Sequence, residues 1–141
     1  MRKVFAGLAA LLMLAVVAQF FLAASGAFDT APNDESFQPH RMLGGGIVLL
    51  SVLVTIAAAT ARMPGRLIGM SGLVAGLAVV QFVIKAFATA FDGAGGSSTT
   101  AGQLVFGLHA VNGLAVMAVA GRIVRQARQL SRSAAPARQA P

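Results

Sequence analysis

A helix that crosses the hydrocarbon core of a bilayer needs about 20 predominantly apolar residues, and this chain has four such stretches, at 4–27, 40–61, 67–91 and 103–121. The breaks between them hold turn and breaker chemistry: Ala31-Pro32-Asn33-Asp34, Met63-Pro64-Gly65 and Asp92-Gly93-Ala94-Gly95-Gly96-Ser97-Ser98. Ser36 is predicted to cap the second helix with Pro39 in its first turn, and Thr99 or Thr100 to cap the fourth. Only 11% of the 141 residues are charged and 57% are hydrophobic, whereas soluble domains average about 25% and about 45–50%. The expected class is an integral membrane protein. Disorder is excluded by this apolar content, and a disulfide scaffold or a Cys-based metal or redox site by the absence of cysteine.

A pI near 11.9 would point a soluble protein toward nucleic acid, but here the basic residues mark topology. Arg2 and Lys3 precede the first span, Arg62 and Arg66 separate the second from the third, and Arg122, Arg125, Arg128, Arg132 and Arg138 follow the fourth. The four acids, Asp29, Asp34, Glu35 and Asp92, lie in the two opposite loops. The positive-inside rule then predicts a multi-pass plasma-membrane protein with both termini cytoplasmic and no nucleic-acid partner. Met1-Arg2-Lys3 before an apolar run, with small residues at Ala24-Ser25-Gly26, has the look of a cleavable signal peptide. The run exceeds the about 7–15 residues of a signal core, so a retained first span is expected. The basic segment at 126–141 is expected to be a disordered cytoplasmic tail that serves as an ordinary topology anchor, the alternative being arginines that lie against anionic headgroups.

The chain also repeats itself. Leu14-Ala15-Val16-Val17-Ala18-Gln19-Phe20 answers to Leu77-Ala78-Val79-Val80-Gln81-Phe82, and Ala27-Phe28-Asp29 to Ala90-Phe91-Asp92. The second span opens with Phe37-x-x-His40-x-x-x-Gly44, and the fourth contains Phe106-x-x-His109-x-x-x-Gly113. The two histidines of the chain thus share one repeat position. The expected fold is all-α: a membrane four-helix bundle of two tandem hairpins, 1–66 and 67–125, related by a pseudo-twofold axis along the membrane normal. Gly72-x-x-x-Gly76, Gly44-Gly45-Gly46 and Gly113 are expected to give small surfaces for close helix contact.

Polar groups in a bilayer face the bundle interior or a cavity, and here they collect in the outer half. Gln19 and Gln81 lie at matching depth, roughly 23 Å from the inner anchors. Lys85 is one turn beyond Gln81, and His109 and Asn112 share a helix face. The specific expectation is one b-type heme with His40 and His109 as axial ligands from facing helices. Gly44 and Gly113 would let the macrocycle lie against the backbone, and Phe37 and Phe106 would stack on its edge. Arg41 and Lys85 would pair with propionates. Gln19, Gln81 and Asn112 complete the polar set, with the glutamines holding the second imidazole nitrogens. Such a protein carries electrons or handles heme and is not expected to be an enzyme.

The rival reading is a non-enzymatic accessory or scaffold subunit with structural histidines, packing through Gly and Ala faces against a larger membrane complex or a second copy. Depth counts against the heme, since distances to Arg62 and Arg122 put the two histidines roughly 13 Å apart along the bilayer normal. The difference shrinks if the fourth helix runs on to about Leu130. No further metal ligands, Ser/His/Asp set or Gly-rich phosphate loop stands where it can act.

The ordered pair Phe37-x-x-His40-x-x-x-Gly44 and Phe106-x-x-His109-x-x-Asn112-Gly113 resembles an uncharacterised family of small actinobacterial membrane proteins, a domain of unknown function, over about residues 1–125. That resemblance implies four spans and no assigned activity. A looser resemblance is to four-helix membrane b-type cytochromes and to one half of heme A synthase, whose His pairs on neighbouring helices hold heme; it implies His40 and His109 as ligands. The acidic residue one turn before the synthase histidine is replaced here by Ser36 or Val105, and a second His pair is lacking, so catalysis on heme is not implied.

Overall fold

The computed structural model describes residues 1–93 and 97–133. Five helices follow in order: α1 (Arg2–Ala27), the single turn α2 (Asn33–Ser36), α3 (Gln38–Thr60), α4 (Gly65–Thr89) and α5 (Thr100–Ser133). Four segments, α1, α2 with α3, α4 and α5, are long and apolar enough to cross a membrane. Ala94, Gly95 and Gly96 of the predicted third loop, and residues 134–141 of the predicted tail, Arg138 among them, lie outside the described residues.

Local chemistry explains most of the ends. Pro39 sits in the first turn of α3, where a missing N–H costs nothing. Thr99 caps α5, its Oγ1 accepting the Gly102 N–H at 3.1 Å. Ser36 does not cap α3; its hydroxyl donates back to the Ala31 and Pro32 carbonyls at 2.8 and 3.2 Å and closes α2. Between α3 and α4, Arg62 takes a left-handed backbone (φ 49°), and the Met63 N–H reaches the Ala58 carbonyl at 2.9 Å. That bond ends α3 with its carbonyls satisfied and turns the chain within four residues, with Met63 buried beneath the turn.

The largest departure from expectation is α5, which continues from the predicted limit at Gly121 to Ser133. Residues 126–133 are therefore helical rather than part of a disordered tail. The apolar run ends at Arg122, but the helical stripe does not. Ile123, Val124 and Ala127 are buried, while Arg122, Arg125 and Arg128 point outward.

The four long helices form a closed up-down ring. α1 packs on α3 and α5, and α4 packs on α3 and α5, leaving α1 and α4 diagonal, and likewise α3 and α5. Each helix contributes one buried stripe with the same spacing. These are Phe5, Ala9, Leu12 and Val16 on α1; Ile47, Ser51, Val54 and Ala58 on α3; Leu67, Ser71, Val74 and Ala78 on α4; and Val116, Ala120, Ile123 and Ala127 on α5. All lie in the half nearer the N-terminus and the α3–α4 turn. The buried hydroxyls of Ser51 and Ser71 donate to carbonyls of their own helices, Val48 at 2.8 Å and Leu67 at 2.9 Å. Leu14, Phe21, Leu49 and Leu104 are among the large apolar side chains turned outward, where hydrocarbon rather than water suits them.

The expected small-residue contacts form only in part. A Cβ at Gly45, Gly46 or Gly76 would meet nothing within 4 Å, and one at Gly72 only a Thr55 methyl at 3.8 Å. The Gly72-x-x-x-Gly76 pair therefore mediates no close helix crossing inside the bundle.

Candidate functional site

The other half of the ring is not filled. Val16, Ile47, Ala78 and Val116, one buried residue from each long helix, form a floor, and beyond it opens a well of about 760 Å³. Its wall is mainly apolar, with Phe20, Ala23, Phe37, Phe82, Phe106 and Ala110. Its polar groups are Gln19, His40, Gln81, Lys85, Gln103 and His109, with Asn33, Asp34 and Arg41 also lining it. The well opens at the end carrying the α1–α3 and α4–α5 connections, away from the basic chain ends.

Two diagonal helices bring their histidines together here. The rings of His40 on α3 and His109 on α5 have centroids 6.1 Å apart and planes inclined at 47°. The depth difference expected from the arginines disappears. Each histidine stands two turns before its helix's floor residue, Ile47 or Val116, and Arg122 belongs to the continuing helix rather than to its end.

The imidazole surroundings differ in detail. His40 Nδ1 lies 3.2 Å from the Gln19 carbonyl, an acceptor only, so Nδ1 carries the proton and Nε2 is left as the acceptor. The Gln19 amide Nε2 then stands 3.3 Å from His40 Nε2 while donating to the His40 carbonyl at 2.9 Å. The Gln81 backbone is the corresponding neighbour of His109, whose Nδ1 is buried without a hydrogen bond. At His40 it is the glutamine backbone carbonyl that meets Nδ1. Phe106 stacks on His109 at 5.2 Å and 15°, whereas Phe37 meets His40 edge-on at 6.2 Å and 88°.

Gly44 and Gly113 face side chains rather than open space. A Cβ at Gly44 would stand 3.2 Å from Gln19 Nε2 and 3.8 Å from the Phe82 ring. One at Gly113 would stand 3.3 Å from both Gln81 Nε2 and the Phe20 ring. Phe20 and Phe82 therefore belong to the site, although the sequence assigned them no role; each follows its glutamine directly, and that repeated Gln-Phe was the available signal. Asn112 is the one predicted site residue that does not line the well. Its Nδ2 donates to the Leu77 carbonyl at 2.8 Å and ties α5 to α4. The oxygens of both glutamine amides, Gln19 Oε1 and Gln81 Oε1, are buried without partners, a condition that costs about 1–3 kcal/mol for each group when nothing occupies its acceptor side.

At the rim, Arg41 pairs with Asp34 at 3.8 Å and donates to its backbone carbonyl. Lys85 has no carboxylate within ion-pair distance among the described residues. No group of three or more His, Asp or Glu able to hold a metal ion exists among them.

Residues 19–90, just over half of the chain, match the model of a family of unknown function, DUF6220. The matched region runs from Gln19 through His40, Gly44, Gln81 and Lys85 and stops before α5 with His109. No curated protein and no solved structure matches the chain. By that match the chain belongs to the DUF6220 family of unknown function.

Proposed function

We propose that the well binds one b-type heme between His40 and His109, for electron transfer or heme handling. The observation that carries this reading is the meeting of two imidazoles, from diagonal helices, above a blind and mostly apolar well. Two imidazoles that face each other across one metal ion, each nitrogen about 2 Å from it, have centroids about 6 Å apart. The separation of 6.1 Å agrees with that distance. The residues fit the group in other ways. The Gln19 carbonyl holds the His40 Nδ1 proton, which directs Nε2 as the ligand atom. Ligation at His40 requires the Gln19 amide to turn off Nε2, and that amide's oxygen has no partner. When bound, the group supplies a one-electron redox centre; the chain's own residues set its ligands, exclude water beneath it and tune its surroundings.

Two further features belong to this reading. The two hairpins are tandem repeats about a pseudo-twofold axis. The buried stripes of α1 and α4 correspond at one constant offset, which also relates Gln19 to Gln81 and Phe20 to Phe82. Those of α3 and α5 correspond at a second constant offset, which also relates Phe37 to Phe106, His40 to His109 and Gly44 to Gly113. Both termini are cytoplasmic in a plasma membrane, with the well toward the outer leaflet, because the arginines gather at the opposite end.

The rival reading is an accessory subunit that packs against a membrane partner or a second copy. It draws on the open space over Gly45, Gly46 and Gly76. One experiment separates the two: absorption spectra of the detergent-purified protein, oxidised and dithionite-reduced, from cells supplied with heme precursor. The heme reading expects a sharp α-band on reduction that is lost in both His40→Ala and His109→Ala. A colourless protein that also fails to take up added hemin overturns it.

A further inference from the structure

The well is symmetric in the groups that face its axis and asymmetric in charge. Gln19 and Gln81, His40 and His109, Gly44 and Gly113, Phe20 and Phe82, and Phe37 and Phe106 match across the hairpins. Its cations do not. The offset that relates Gln19 to Gln81 puts Ala23 opposite Lys85, and the one that relates His40 to His109 puts Ala110 opposite Arg41. All four residues line the well. Arg41 on α3 and Lys85 on α4 stand on adjacent helices, and Ala23 on α1 and Ala110 on α5 stand on the other adjacent pair. Among the described residues the only acid lining the well is Asp34, fully exposed and paired with Arg41 at the rim. Such an exposed pair contributes little, so Asp34 can give up Arg41 to a ligand.

We infer that this asymmetry gives the bound ligand a single orientation: Lys85 and Arg41 take an edge carrying two carboxylates, and Ala23 and Ala110 take an apolar edge. The inference rests on the heme reading, since heme b has both propionates on one edge and methyl and vinyl groups on the opposite one. Without the two cations, the pseudo-twofold site would accept the macrocycle equally well in either of two orientations. With them, only one satisfies both carboxylates.

The test titrates the detergent-purified full chain with hemin and with hemin dimethyl ester, whose carboxylates are blocked. The wild-type protein is expected to bind hemin about a hundredfold more tightly than the ester, about tenfold for each carboxylate lost. In Lys85→Ala/Arg41→Ala the preference is expected to vanish, both ligands binding at the level of the ester in the wild type. Adding Ala23→Lys and Ala110→Arg moves the cations to the α1–α5 side. The preference for hemin should return. Equal wild-type affinity for hemin and ester overturns the inference while leaving the heme reading intact, as does a preference that survives loss of both cations. That comparison on the wild-type protein stands even if the fourfold variant fails to fold. No uptake of either ligand overturns the heme reading itself.

Discussion

The two halves of the bundle use the same four helices differently. Between the N-terminus and the floor, every inward position at the 4-3-4 spacing is filled, and the buried side chains of Phe5, Leu12, Val54, Leu67, Val74 and Ile123 meet with almost no exposure. Beyond the floor the same helix faces present Gln, His and Gly, and the ring stands open around about 760 Å³. Lipid is as apolar as a leucine core, so hydrophobicity alone does not hold such helices together. The filled half holds the ring through close contact of side chains, and the open half is held apart at a distance that the filled half sets. The fold thus separates stability from site along the bundle axis.

The largest effect tests that division directly. Leu12→Ala removes a side chain that is 1% exposed and surrounded on all sides, leaving a cavity that the helices cannot close; the expected loss is about 2–4 kcal/mol. Phe82→Ala removes a larger side chain that already borders the well and is 49% exposed. It creates no new enclosed void, and its expected cost is below about 1 kcal/mol. Denaturation of both variants in the same detergent checks the order. A Phe82→Ala loss equal to that of Leu12→Ala would mean that the open half carries stability too.

Within the open half, glycines sharpen the contrast. Gly113→Ala would bring a methyl to 3.3 Å from both the Gln81 amide and the Phe20 ring, so a loss of about 1–2 kcal/mol is expected from overpacking. Gly46→Ala meets nothing and should be stabilising by about 0.5–1 kcal/mol through helix propensity alone. Thermal unfolding of the pair reads the difference. Opposite signs are expected, and a shared sign would break the distinction between glycines that admit a neighbour and glycines that face the membrane.

What could be read from the sequence follows the physics of each signal. The spans were legible because apolar length is a direct requirement of the bilayer. The end of α5 was not, because hydropathy stops at Arg122 while the inward stripe of Ile123, Val124 and Ala127 continues; the periodicity, not the composition, held that information. The turn α2 is too short to leave a pattern. Most residues lining the well stand out in the sequence because the Gln-Phe pair and the F-x-x-H-x-x-x-G spacing each occur twice. Asn112 stands outside the well because a shared helix face does not say which neighbour a side chain meets, and α4 offers it the Leu77 carbonyl. The glycine pair Gly72 and Gly76 failed for the same reason: spacing identifies a smooth face but not whether another helix lies on it.

The smallest expected effect bears on the repeats. Ser71 and Ser51 are fully buried, yet the offsets relating the two hairpins match them to alanines, Ser71 to Ala9 and Ser51 to Ala120. Each hydroxyl bonds a carbonyl of its own helix and none bridges to a neighbour. If the filled half is built twice from one plan, an alanine suits either position, because its counterpart already occupies the equivalent place. Removing the hydroxyl then loses a local bond to a carbonyl that keeps its helical partner, and the change should stay within about 0.5 kcal/mol. The double variant Ser51→Ala/Ser71→Ala should be additive, since separate bonds on separate helices share no partner. Detergent unfolding of the two single variants and the double one measures all three values. A loss above about 1.5 kcal/mol in either single variant, or strong coupling between them, would mean that the hydroxyls reach across the bundle and that the two halves are packed on different plans.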